Sequence, residues 1–148
     1  AMDLMGRKVV GSQGQLYELF VQDVATFIEE NTGDAALKPY LEPLAAAVER
    51  LSDVTEHVIK QAGDNPNAIG AAAVDYLDMF GYTALAYMWA KTVKAAAPKA
   101  EADTSGFYTG KLKTARFYFD RLLPKTVSLA EGIRSGSEAM MALAANEI

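Results

Sequence analysis

Val74-Asp75-Tyr76-Leu77-Asp78-Met79-Phe80-Gly81-Tyr82-Thr83-Ala84-Leu85-Ala86-Tyr87-Met88-Trp89-Ala90-Lys91 is the stretch around which the chain is organised. From Met79 to Ala90 it runs twelve residues without a formal charge and holds the only Trp. Apolar residues at 74, 77, 81, 84, 85 and 88 follow the i, i+3, i+4 rule of a helix. Phe80, Tyr87 and Trp89 fall on other faces of the same helix. A helix apolar nearly all round is buried or covered by a partner. Twelve residues at 1.5 Å each do not cross a hydrocarbon layer about 30 Å thick. The stretch is therefore predicted to be the central helix of a helical domain, with the other segments as the layers that cover it.

Working outward, a first helix is expected over about 13–31, with Leu16, Leu19, Phe20, Val24, Phe27 and Ile28 inward. The second has the most regular spacing: Leu37, Leu41, Leu44, Val48, Leu51, Thr55 and Val58 alternate steps of four and three, as in a bundle seam. Pro43 lacks the N–H that would bond the carbonyl of residue 39, so this helix is expected to start near Tyr40. Asn65-Pro66 reads as the cap and first residue of the central helix, which Pro98 should end. A fourth helix is expected over 106–123 with Tyr108, Leu112, Ala115, Phe119 and Leu122 inward, broken or kinked at Pro124. Beyond it, Val127, Ala130, Ile133, Ala139, Met140 and Leu143 are expected to face the core. The fold class is all-α: an up-and-down four-helix bundle with a kinked or broken C-terminal helix. The short link from Pro98 to Gly106 places the third and fourth helices antiparallel, with Trp89 opposite Ala115, Ala84–Leu85 opposite Phe119 and Gly81–Tyr82 near Leu122.

With 148 residues, the chain suits a single domain. It is 51% hydrophobic and 22% charged, which rules against disorder. A net charge of −5 without a basic patch disfavours nucleic acid. The absence of cysteine excludes disulfide and thiolate chemistry and suits a reducing cytoplasm. The start reads as a boundary without an export signal. His57 is the only histidine, so a triad or an imidazole metal site has little material. Asp75 and Asp78 share a helix face as carboxylate ligands would, but no Glu-x-x-His motif partners them. Gly11-Ser12-Gln13-Gly14 matches neither dinucleotide nor phosphate-loop spacing. Arg116 and Arg121, preceded by Lys111 and Lys113, form a basic stretch suited to a phosphate or a carboxylate. The run Phe117-Tyr118-Phe119 points three ways round a helix, so one or two of its rings should meet another element or chain. Trp89, Phe107, Phe117, Tyr118, Arg116 and Arg121 are the candidate docking residues; no catalytic, cofactor-binding or metal residue is assigned.

A family resemblance adds to this reading. Ala1-Met2-Asp3-Leu4-Met5-Gly6-Arg7-Lys8-Val9 resembles the end of the catalytic portion of acyl-CoA dehydrogenases. Tyr76-Leu77, Phe80-Gly81, Met88-Trp89-Ala90, Phe107-Tyr108, Lys111-Leu112, Thr114-Ala115-Arg116-Phe117-Tyr118 and Arg121-Leu122-Leu123-Pro124 resemble an added C-terminal helical domain. That domain, called acetyl-CoA dehydrogenase C-terminal-like, occurs in a subgroup including the type acting on methylmercaptopropionyl-CoA. The resemblance implies that 1–10 is a remnant of the preceding dehydrogenase domain and 11–148 the C-terminal bundle. It implies a FAD-dependent parent that oxidises acyl-CoA to enoyl-CoA, while this chain holds no catalytic residue and no cofactor. Expected partners are the remainder of the dehydrogenase and further copies of the chain. The other class considered is a helical module that binds a protein or a membrane surface without enzymatic activity; a free-standing small enzyme is disfavoured.

Overall fold

The computed structural model describes residues 1–147. Among them there is helix and no strand. A π-helical segment, Asp3–Val10, leads into α1 (Gln15–Glu30), α2 (Lys38–Asp64), α3 (Asn67–Ala100) and α4 (Phe107–Phe117). A second π-helical segment, Tyr118–Leu122, joins α4 to α5 (Lys125–Arg134), and a short α6 (Glu138–Met141) follows.

Local chemistry sets the boundaries. Gln13 and Gly14 have φ of 52° and 85°, a left-handed corner that turns the chain from the π segment into α1. Asp34 Oδ1 accepts the Ala36 and Leu37 N–H groups and seeds α2. That helix begins at Lys38, ahead of the expected Tyr40, because Pro39 sits in the first turn, where no N–H is needed. Pro43 deprives only the exposed Pro39 carbonyl of its donor. Pro66, expected as the first residue of α3, is its N-cap, and Asn65 just before it accepts the Asn67 N–H on its Oδ1 at 3.0 Å. Pro98 does not stop α3: it lies in the last turn, so only the Lys94 carbonyl loses its helical donor, and the helix ends at Ala100.

Every member of the α2 seam is buried: Leu37, Leu41, Leu44, Val48, Leu51, Thr55 and Val58. The expected pairing of α3 with the following helix also holds, and it extends along the whole of α3. Lys99 lies over the Tyr108 ring, Tyr118 reaches Tyr82, Lys125 lies over Tyr82, Asp75 approaches Gly132, and Asn65 bonds Ser137. Numbers fall on α3 as they rise on its partner, so α4, the π segment and α5 form one kinked antiparallel mate. Trp89 packs between Lys111 and Tyr118, one turn either side of the buried Ala115.

Two buried clusters share α3. One gathers Val24, Phe27, Leu44, Tyr87, Ala90 and Phe119; the other Met5, Val9, Leu51, Val58, Tyr76 and Met79. Met5 and Val9 make the first π segment part of the bundle core. Between the clusters, Thr83 is fully buried and its hydroxyl donates to the Met79 carbonyl at 2.9 Å.

Three expected inward faces need correction. In α1 the buried residues are Tyr17, Val24 and Phe27, while Leu16 and Leu19 are exposed. In α5 Thr126 is buried and Val127 exposed; the Thr126 hydroxyl donates to the Leu123 carbonyl and accepts from the Arg50 guanidinium at 3.0 Å, and Ala139, Met140 and Leu143 are exposed too. The largest correction is in α3. Its buried side is Ala72, Ala73, Tyr76, Met79, Thr83, Ala86, Tyr87, Ala90, Val93 and Ala96. Val74, Leu77, Leu85 and Met88 face solvent.

Candidate functional site

The candidate docking residues separate into two groups. Phe107 and Phe117 are 59% and 56% exposed, and with Gly110 and Thr114 they form one exposed face of α4 at steps of three, four and three. Gly106, at φ 77°, opens the helix, and Asp103 accepts the Tyr108 N–H at 2.9 Å to fix its first turn. The Asp103 carboxyl is held below its ordinary value by the Ser105 hydroxyl and by backbone N–H groups, Tyr108 first. Trp89 borders this face from α3, and Lys111 joins the two, its Nζ 6.0 Å from the Trp89 ring and 5.2 Å from the Phe107 ring. Arg121 is exposed in the π segment that follows.

Tyr118 and Arg116 are not part of that face. Tyr118 is buried, and its hydroxyl donates to the Tyr82 carbonyl at 2.9 Å. Burial, with a smaller contribution from Tyr82, pushes this phenol up to about 12. It ties α4 to α3 and leaves nothing to offer a partner. Arg116 lies elsewhere round the helix and spends its guanidinium on Asp120, at 2.6 Å. With Arg116 and Arg121 apart and Lys111 committed to rings, the basic stretch makes no single cationic stripe.

Position in sequence hid a second surface. Val74, Leu77, Leu85 and Met88 are 63%, 42%, 52% and 46% exposed along one line of α3. Residues of mixed size on an apolar helix carry no contrast to tell buried from bare. The only usable signal was the run of alanines at 72, 73, 86, 90 and 96, which lets α3 approach its neighbours closely.

Other chemistry finds little material. Among the described residues no group of three or more His, Cys, Asp and Glu side chains could hold a metal. His57 is half-buried on α2. A cleft of about 500 Å³ between α1 and α2 is edged by Tyr17, Ser52 and Thr55. Their hydroxyls are already bonded, Tyr17 to Ser52 and Thr55 to Tyr76. The residues present do not fit FAD. Gly11 is wound into the end of the first π segment, its N–H on the Gly6 carbonyl, so Gly11–Gly14 is a helix-to-helix corner with no free N–H cradle for a pyrophosphate. Among the described residues no buried side-chain nitrogen or oxygen lacks a partner, so none waits for an isoalloxazine edge. No described helix is long and apolar enough to cross a membrane.

The chain is 32% identical over 127 residues to 3-methylmercaptopropionyl-CoA dehydrogenase of Ruegeria pomeroyi. That alignment covers 83% of this chain and 21% of the relative, so the chain spans about a fifth of the curated protein it matches. Residues 20–144, nearly all of α1 to α6, match the family described as acetyl-CoA dehydrogenase C-terminal like, and the chain belongs to that family.

Proposed function

We propose that this chain is the C-terminal helical domain of a FAD-dependent acyl-CoA dehydrogenase that oxidises an acyl-CoA thioester to the enoyl-CoA, and that its task is docking. Flavin, carboxylate base and thioester cleft would belong to the remainder of that enzyme, against which the α4 face would lie. The observation that carries the reading is the exposed pair Phe107 and Phe117, rimmed by Trp89 and Lys111, on a domain whose family and relative are dehydrogenases. Large rings left half bare beside a cation are what a protein interface uses as anchors. A membrane-surface role is less well supported, because the cations of α4 are scattered where a basic amphipathic helix would align them.

Two measurements test the proposal. The purified chain is expected to show no flavin absorbance and no acyl-CoA-dependent dye reduction. In the full-length dehydrogenase, Phe107→Asp with Phe117→Asp is expected to lower the melting temperature of the holoenzyme. Dye reduction by the chain alone, or a full-length enzyme indifferent to both substitutions, would overturn it.

A further inference from the structure

The exposed line on α3 is spaced symmetrically, as the α4 face is, but unlike that face it is centred on a residue without a side chain, Gly81. Val74, Leu77, Gly81, Leu85 and Met88 are separated by three, four, four and three residues, so the spacing reads the same in both directions about Gly81. An isologous twofold contact requires this, since residue i must meet j while j meets i; a different partner requires no such symmetry. Turned antiparallel about Gly81, the helix sets Val74 against Met88 of a second copy, Leu77 against Leu85, and Gly81 against itself. A Cβ built on Gly81 meets nothing within 4 Å, so the crossing point is open and lets two backbones approach. We infer that α3 is a homodimer seam, in which two copies of the chain cross antiparallel at Gly81.

Charge and area agree with a second copy. Asp78 is the only charged residue among the exposed positions from Val74 to Met88, and it has no ion partner among the described residues. The twofold brings the same flank of each helix together, so Asp78 falls level with Ala84 of the other copy, two residues or about 3 Å along the axis from Tyr82. There Lys125, also without an ion partner, holds its Nζ 5.7 Å from the ring. Leu16 and Leu19 are exposed on α1, the helix packed beside α3. Leu16 is one turn before Phe20, whose ring is 5.0 Å from Phe80; Leu19 is one turn before Asp23, which shares a cleft with Tyr87. Together these side chains bare roughly a few hundred Å², the size of patch that is functional on a monomer. That is below the ~800 Å² per partner of a standard interface, so the dimer should be weak, with a dissociation constant of micromolar order.

This goes beyond the docking of α4 and can fail independently of it. The chain has no cysteine, so introduced ones report geometry directly. Helices 8–10 Å apart leave facing Cα atoms about 4–5 Å apart, within disulfide reach. Residues 77 of the two copies are displaced by eight positions, about 12 Å, and are out of reach. Gly81→Cys is expected to form a covalent dimer on mild oxidation. Leu77→Cys alone should not, but Leu77→Cys mixed with Leu85→Cys should. Gly81→Leu, which meets open space within one copy, is expected to stay folded by circular dichroism and to weaken dimerisation in sedimentation about tenfold or more. Monomer alone at several hundred micromolar, self-crosslinking of Leu77→Cys, undiminished association of Gly81→Leu, or dissolution of the dimer by the remainder of the dehydrogenase would each overturn the assignment.

Discussion

Replacing Thr55 by Val should destabilise the protein more than replacing its partner Tyr76 by Phe, although each change removes one hydroxyl from the same hydrogen bond. The Thr55 and Tyr76 oxygens are 2.7 Å apart, and both side chains are buried. Thr55 has one proton, and it goes to the Leu51 carbonyl at 2.7 Å. The shared proton must then come from Tyr76. Tyr76→Phe removes a donor and leaves Thr55 with its own bond intact, a loss of about 0.5–1.5 kcal/mol. Thr55→Val strands a fully buried phenol, at about 1–3 kcal/mol, while the Leu51 carbonyl keeps its backbone donor. In the double variant no polar group is stranded, so its cost should fall below the sum of the two, with a coupling of about 1 kcal/mol or more. Urea titrations followed by helical circular dichroism, compared at equal m-value, give all three numbers. An additive double variant, or Tyr76→Phe costing more than Thr55→Val, would refute the assigned proton direction.

Gly110→Ala, in open space within α4, should stabilise by about 0.4–1 kcal/mol. Gly11→Ala should destabilise, because its Cβ would lie 2.6 Å from the Arg7 carbonyl oxygen; thermal melts of both variants report the opposite signs. Ala115→Leu should cost about 1–3 kcal/mol by overpacking the fully buried contact beside Trp89, read from the denaturation midpoint. Burial raises Tyr17, Tyr40, Tyr76 and Tyr118 above the ordinary value of 10.0, Tyr118 to about 12. A folded pKa above the unfolded one means that stability is intact below pH 10 and lost as pH rises through the folded values. Helical signal and tyrosinate absorbance should therefore change together above pH 10; full tyrosine ionisation with the helix intact would contradict it.

Those energies depend on which faces are buried, and the sequence was legible unevenly on that point. The α2 seam could be read because large apolar residues at heptad spacing alternate with Glu42, Glu49, Glu56 and Lys60, giving a contrast to follow. Along the middle of α3 that contrast vanishes, and size misled: Leu77, Leu85 and Met88 face out, while Ala86 and Ala90 face in beside Tyr76, Met79 and Tyr87. In α5 Thr126 takes the inside in place of Val127, its hydroxyl satisfied by the Leu123 carbonyl and the Arg50 guanidinium. The antiparallel mate of α3 was legible from the short connector and the small residue opposite Trp89. The π segments were not, since an i−5 bond such as Leu123 N–H to the Tyr118 carbonyl leaves no mark in composition. Among the candidate docking residues, Phe107 and Phe117 lie exposed with Trp89 beside them, whereas Tyr118 is buried and the fold uses its polar tip internally.

The continuity of α3 through Thr83 sets how the molecule comes apart. One rod carries a wall of each buried cluster: Ala72 to Met79 belong to one, Ala86 to Val93 to the other. If either cluster opened by itself, half of that rod would stand in water with its apolar side bare, so each core insures the other against partial opening. Fraying is confined to what hangs from the ends, such as α6 and the loop before α4, and the amides flanking Thr83 should be the last to exchange with solvent. A protein with two cores then melts once, as a single unit.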